Sequence, residues 1–488
     1  MRLGATTSLC GRCRRSVPAE IVRAGDAVVM RKRCAEHGDD EVLISPNADW
    51  YLAAMEHEPV LAPPRSPRPV AQGCPFDCGP CAAHEQDVQL PIVPITSACN
   101  LDCPICYTHN RNQGAYHMSE AELRAILRHV VAVDPERRII NLTGGEPTQH
   151  PQFVRLVELC REEGIHRITI STHGLRFLKD EWLLEKLAEL DARVVLSFDS
   201  FKPEVNQAML GGRFLEGKLR VLELLGEYRV NTTLLPVLAR GLNDDEVGAF
   251  VRLALERPFI RSLELHTMTF TGQSGTTFDR AARYTPYDVL VDLARQTGGL
   301  LEVADFVPSP AAHPLCYQVA YLLDLGPGGA DPRWLPFTRF MSPADLRAML
   351  AGMLYLEPSQ AMEEKLAEVI NQLWASETGT DSAERVLAAL KRILATTFAP
   401  ELTPLERMRA AERGAKAIYI HAHMDQDDFD TDRIRRCCVG IREPDGQNIP
   451  SCAYNVLYRE RDGRFTERAA PPLVALGRGR RREGAAHR

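Results

Sequence analysis

The sequence predicts an α/β protein built on a partial (β/α)6 barrel of the TIM type, flanked by a small N-terminal metal-binding domain and a mostly helical C-terminal extension. Three observations carry this. Between about residues 90 and 300, six short, β-branched apolar stretches alternate with amphipathic stretches of helical spacing. Cysteines gather in groups before, within and after that region. A proline-rich segment, "EPVLAPPRSPRPVAQ", parts the first cysteine group from the rest.

The elements follow in order. Residues 1–57 hold "LCGRC", a strand-like "EIVRAGDAVVMRKR" with Gly25-Asp26 as a hairpin turn, and "CAEHG". Residues 58–89 are linker followed by "GCPFDCGPCAAH", too crowded with Gly, Pro and Cys for a helix or strand. Residues 90–300 carry the strand candidates "LPIVPIT", "RRIINLT", "HRITIST", "RVVLSFDS", "VNTTLLPV" and "SLELHTMT". Helical stretches such as "MSEAELRAILRHVVAV" and "LEGKLRVLELLGEY" lie between them. Six such units curve a parallel sheet toward a barrel whose strands are covered on both faces. Residues 301–460 read as helical, with "PADLRAMLAGMLYLE" and "QAMEEKLAEVINQLW" amphipathic, and end in "RRCCVGIREPDGQNIPSCAYN". Residues 461–488 form a basic, low-complexity tail with Arg478, Arg480, Arg481 and Arg482, expected to be disordered and solvated.

Composition narrows the function. A chain of 488 residues can hold two or three domains. Apolar content of 45% and charged content of 25% are ordinary for a globular protein, and a net charge of −7 gives no reason to expect nucleic acid. No apolar run approaches the ~18–20 residues that span a bilayer, and the opening residues lack an apolar signal core. A cytoplasmic protein is expected. There the 14 cysteines stay reduced, and their grouping points to metal. Cys160, within "FVRLVELCREE", reads as a small core residue instead.

The chemistry centres on "SACNLDCPICYTHN", with Cys99, Cys103 and Cys106 just past the first barrel strand. That is the barrel face where active sites assemble. Three thiolates are one short of a closed tetrahedral site. On a four-iron cluster they leave one iron open to a small molecule. The alternative is a zinc knuckle completed by His109 or a distant residue. At the end of the second strand, "NLTGGEPTQH" supplies Gly144 and Gly145, whose lack of a side chain admits a ligand close to the backbone. It also supplies Glu146, whose carboxylate can pair with an ammonium group.

"CNLDCPICY" and "GGEP" together resemble the radical SAM enzymes over roughly residues 90–300. The resemblance implies a 4Fe-4S cluster on Cys99, Cys103 and Cys106, with S-adenosylmethionine on its open iron. Tyr107, Gly144, Gly145, Glu146, Pro147, Thr172, Ser197 and Asp199 would line the cofactor site. It implies reductive cleavage of S-adenosylmethionine to a 5′-deoxyadenosyl radical that removes hydrogen from an unactivated carbon.

The other cysteines extend the resemblance. Cys74, Cys78 and Cys81 repeat the triad spacing without a following Gly-Gly-Glu, so an auxiliary cluster is expected there. With Cys316, Cys437, Cys438 and Cys452 they make seven thiols, near the eight of two closed clusters. Cys10, Cys13, Cys34 and His37 have the spacing for one mononuclear iron or zinc ion. This order resembles a radical SAM subgroup that includes archaeal tetraether lipid synthases and dihydro-hydroxymethylpterin methyltransferases. That implies forming or alkylating a carbon–carbon bond on a small-molecule or lipid substrate, with a reductant such as ferredoxin or flavodoxin. A lipid substrate would require peripheral membrane contact. The chain departs from the subgroup at His173, where Asn is common, and at Gly440, where His is usual. His421 and His423 have metal or proton-transfer roles to weigh against solvated or capping ones. A multi-cluster electron-transfer protein and a zinc-stapled binding module are the competing readings; neither needs Glu146.

Overall fold

The computed structural model describes residues 1–466 except 66, 80, 109–111, 134–137, 328–332 and 376–380. The alternative ligand His109 and the arginines of the tail lie outside the described residues.

The N-terminal sheet is an antiparallel meander of β1 (Arg2–Leu9), β2 (Ser16–Ala24), β3 (Ala27–Cys34) and β4 (Gly38–Ser45). Gly25-Asp26 forms its tight turn, with Gly25 at φ 66°, where a side chain would be strained. A second sheet begins with β5 (Leu90–Thr96), β6 (Ile139–Gly144), β7 (Arg167–Thr172), β8 (Arg193–Ser197), β9 (Thr232–Leu235), β10 (Val237–Leu238) and β11 (Ile260–Thr267). It continues with β12 (Val307–Pro308), β13 (Tyr317–Asp324), β14 (Trp334–Pro336), β15 (Ala415–His421), β16 (Val439–Arg442) and β17 (Asn448–Pro450). From β5 through β6, β7, β8 and β9 to β11 every neighbouring pair is parallel, as six strand–helix units require.

The sheet does not stop at residue 300. β15 adds in parallel beside β11, β13 adds antiparallel beside β15, and β16 adds in parallel beside β5. The helices expected in the extension are present at Pro343–Leu350 and Gln360–Ala375. The first is shorter than its amphipathic pattern because Ala351 and Gly352 turn left-handed. These helices pack on β13 and β15 through Leu346, Leu366, Val319 and Tyr419.

The strands are not apolar on both faces. Their outer face, with Ile140, Leu142, Ile168, Ile170, Val194 and Leu263, is sealed under the helices. Their inner face carries Asn141, Thr169, Ser171, Thr233, Ser262 and Glu264, which line a cavity of about 350 Å³. Cys160 lies fully buried in the helix-side core. At the opposite end of the barrel, half-buried Glu412 bridges Arg167 and Arg193. Although burial pushes its carboxyl up, the two guanidiniums hold it at about 2.

Candidate active site

The loop carrying Cys99, Cys103 and Cys106 leaves the C-terminal end of β5, and all three thiols face the cavity. The Cys99 N–H donates to Asn112 Oδ1 at 2.8 Å, and the Leu101 N–H approaches Cys99 Sγ at 3.4 Å. Burial first, then neighbouring negative charge, pushes Cys99 and Cys103 up to about 12. Such thiols stay protonated on their own, and a bound metal is what favours their thiolates. The donor set therefore fits an iron–sulfur cluster.

Gly144 and Gly145 prove necessary for a reason the sequence did not suggest. The neighbour they admit is the chain's own backbone: a side chain at Gly144 would strike the Thr96 carbonyl, and one at Gly145 the Ala98 carbonyl. The Gly145 N–H donates to Thr96 O at 2.8 Å and the Glu146 N–H to Ala98 O at 2.7 Å. The second loop is thus bonded flush against the root of the cysteine loop.

Glu146 is buried and its carboxylate is already engaged. Oε1 accepts from the Thr148 N–H at 3.1 Å, the Thr148 hydroxyl at 2.7 Å and the Thr172 hydroxyl at 2.6 Å. Oε2 accepts from the His173 N–H at 3.0 Å and lies 3.3 Å from His173 Nε2. That imidazole nitrogen also lies 2.9 Å from Asn100 Oδ1, so the histidine standing where Asn is common ties the β7 loop to the cysteine loop. Glu146 also caps the short turn Pro147–Gln149. The carboxylate ties its own loop to the β7 loop, and His173 carries the tie on to the cysteine loop, leaving little acceptor capacity for an ammonium group.

At the end of β8, Ser197 and Asp199 meet a residue that sequence reading missed. Lys218 is 1% exposed, and its ammonium donates to the Ser197 carbonyl at 2.5 Å and the Ser197 hydroxyl at 3.0 Å. Burial holds its pKa below the ordinary lysine value, opposed by Asp199, Cys103 and Glu146. Asp199, pushed up by burial, accepts from the Val237 N–H at 3.0 Å. The sign was legible: Lys218 occupies a buried position of the helix Leu215–Glu227, in line with Val221, Leu222 and Leu225. Tyr107 stacks at 6.1 Å on His423.

The remaining cysteines fall into three places. Cys10, Cys13, Cys34 and His37 bring one ligand atom each to within 4.8 Å of the others. His37 Nδ1 lies 3.5 Å from both Cys10 and Cys34 Sγ. Cys316, Cys437, Cys438 and Cys452 line one small cavity together with Arg433 and His423. Burial first, and then neighbouring thiols that include Cys81, push the thiols of Cys74 and Cys78 up, and these two pack beside the core containing Cys452. Gly440 has no room for the subgroup's histidine, since a side chain there would strike Asn448.

Residues 93–254 match the family profile of the radical SAM superfamily. The chain carries a radical SAM domain. Residues 2–46 match the HMPTM N-terminal zinc ribbon domain. The chain is 27% identical over 476 residues to the 7,8-dihydro-6-hydroxymethylpterin dimethyltransferase of Methanocaldococcus jannaschii, covering 93% of this chain and 94% of that protein. It is 38% identical over 132 residues to the GTP 3′,8-cyclase of Peptoclostridium acidaminophilum, covering 26% of this chain and 39% of that one. The crystal structure of Streptococcus suis SuiB bound to S-adenosylmethionine superposes with a TM-score of 0.36 at 20% identity, over 43% of this chain and 46% of that one. The radical SAM match thus falls on the parallel sheet, and the zinc-ribbon match on the N-terminal sheet that brings Cys10, Cys13, Cys34 and His37 together. Among the described residues, no helix is long and apolar enough to cross a membrane.

Proposed function

We propose that the chain cleaves S-adenosylmethionine reductively and forms or alkylates a carbon–carbon bond on a small polar heterocycle of the pterin class. One observation carries the reading: a single cavity has the cysteine loop, Gly144–Glu146 and Thr172–His173 at one end and the polar inner faces of β6, β7, β9 and β11 as walls. Asn141 Nδ2 donates to Thr169 Oγ1 at 2.9 Å, the Ser171 hydroxyl donates to Asn141 Oδ1 at 3.1 Å, and the Thr233 and Ser262 hydroxyls lie 2.8 Å apart. The further donor and acceptor capacity of these groups suits a heterocycle rich in donors and acceptors better than an alkyl chain. A pterin therefore suits the cavity better than a lipid, and membrane contact is not needed.

In this reading Cys99, Cys103 and Cys106 hold a 4Fe-4S cluster. Gly144, Gly145, Pro147, Thr172, Ser197, Asp199 and Tyr107 line the S-adenosylmethionine site. When bound, these groups supply one-electron cleavage of a carbon–sulfur bond and hydrogen abstraction from an unactivated carbon. Glu146 keeps its own loop and the β7 loop in register through Thr148, Thr172 and His173, and His173 joins them to the cysteine loop at Asn100. Lys218 fixes the Ser197 carbonyl and balances Asp199. The enclosed walls keep water from reactive species. Cys74, Cys78 and Cys81 hold one auxiliary cluster, and Cys316, Cys437, Cys438 and Cys452 a second. Cys10, Cys13, Cys34 and His37 hold zinc, since three thiolates and one imidazole form a zinc donor set. Electrons come from a ferredoxin- or flavodoxin-type reductant in the cytoplasm. Residues 1–57, 58–89, 90–300, 301–460 and 461–488 serve as ribbon, auxiliary-cluster segment, catalytic core, extension and tail.

The test is anaerobic turnover of reconstituted protein with dithionite, S-adenosylmethionine and a deuterated dihydropterin. Formation of 5′-deoxyadenosine carrying deuterium supports the reading. No 5′-deoxyadenosine from fully loaded, reduced protein would favour a multi-cluster electron-transfer protein.

A further inference from the structure

Three histidines meet in the barrel cavity for a reason written in strand register. β11 and β15 pair in parallel with His266 directly opposite His421, so the two imidazoles share a face, 4.8 Å apart between ring centroids. His423 follows His421 by two residues and brings its ring 4.0 Å from that of His421 and 5.3 Å from that of His266. One nitrogen from each lies within 4.8 Å of the other two. Glu264 precedes His266 by two residues on β11, and strand alternation turns it to the same face. Its Oε1 accepts from His266 Nε2 at 2.9 Å and lies 3.6 Å from His421 Nδ1.

That last distance is too long for a hydrogen bond. His421 is 6% exposed, and its Nδ1 is buried without a hydrogen-bond partner. An orphaned buried nitrogen is costly, and a ligand at that point removes the cost. Glu264 stands behind the pair, and a carboxylate accepting from a ligand histidine is the usual outer support of a metal site.

We propose that His266, His421 and His423 bind a zinc-type divalent ion in the barrel cavity, with Glu264 as the positioning residue. Three imidazoles leave a fourth coordination position, the pattern of zinc sites that act on a ligand rather than staple a fold. The open position faces the cavity and takes an oxygen or nitrogen of the molecule bound there. His423 Nδ1 lies 3.5 Å from Cys452 Sγ, which leaves Nε2 for the ion. Ion binding stands independently of the radical chemistry, since it is read by metal content alone.

The experiment uses the full chain, reconstituted anaerobically with iron and sulfide, equilibrated with zinc chloride, desalted and analysed for all first-row metals. Wild type should retain about one zinc beyond that held by Cys10, Cys13, Cys34 and His37. His421→Ala and His266→Gln should each lose about one zinc per chain with iron unchanged. A Cys13→Ser variant, with the ribbon site emptied, should keep one zinc whose X-ray absorption shows imidazole nitrogen and no sulfur. Zinc in that variant coordinated by sulfur, or no zinc lost in either histidine variant, would overturn the proposal. So would loss of about four iron atoms from His423→Ala, which would make that histidine a cluster ligand.

Discussion

Replacing Glu146 by Gln separates a clamp from a ligand contact. The carboxylate receives two backbone N–H groups and two hydroxyls. A glutamine keeps one oxygen for Thr148 and Thr172 but can turn an NH2 toward the His173 N–H, leaving that buried donor unsatisfied. The cost of one such donor is about 1–3 kcal/mol. Taken as about 2 kcal/mol, it lowers the local opening free energy by a factor of ~30 in exchange rate. Hydrogen exchange followed by mass spectrometry in reconstituted full-length protein should show about that acceleration in peptides spanning Thr148 and His173. Loss of S-adenosylmethionine affinity should accompany it, because the loops are no longer held in register. Unchanged exchange with lost affinity would refute the clamp and return the carboxylate to direct contact with the cofactor.

Gly144→Ala should drive a methyl group into the Thr96 carbonyl at φ 148° and shift the root of the cysteine loop. Iron analysis after reconstitution should find about four fewer iron atoms per chain, those of one cluster. Lys218→Met removes the donor to the Ser197 carbonyl and leaves Asp199 without its cation, so calorimetry should find S-adenosylmethionine bound at least about tenfold more weakly. His150 is buried; its Nε2 lies 2.9 Å from Met118 O and its Nδ1 accepts from the Gln152 N–H at 3.0 Å. Burial holds its pKa below 6.5, so the unfolded chain takes the proton first as pH falls. Its contribution is therefore complete above 6.5 and lost as pH drops through the folded value. The urea midpoint should fall less between pH 7.5 and 5.5 in His150→Gln than in wild type.

Much of this was legible in the sequence. The six strands from Leu90 to Thr267 alternate with helices as their pattern demanded, because β-branched apolar runs and helical periodicity are local signals. The cysteine loop and Gly-Gly-Glu stood out by their spacing and their places after the first and second strands, and their cofactor roles came from the family resemblance. The strands Tyr317–Asp324 and Ala415–His421 were not, since a buried apolar run of that length looks the same as a buried helix segment until its partner strand is known. The polar inner wall escaped notice because Asn141, Thr169 and Ser262 stand apart in sequence and meet only when the sheet curves. His266 was invisible as a partner of His421 for the same reason: 155 residues separate them, and register alone sets them opposite. That the Glu146 carboxylate is already held by Thr172 and His173 was not readable, because these donors come from the next strand.

In the proposed enzyme, the loop of Cys99, Cys103 and Cys106 leaves one iron open for a sulfonium cofactor. Electron paramagnetic resonance of the dithionite-reduced protein tests it most directly, with Cys74, Cys78 and Cys81 changed to Ala to remove one auxiliary signal. Adding S-adenosylmethionine should shift the signal that disappears in a Cys103→Ala variant. A Cys103-dependent signal that stays the same when the cofactor is added would contradict the account.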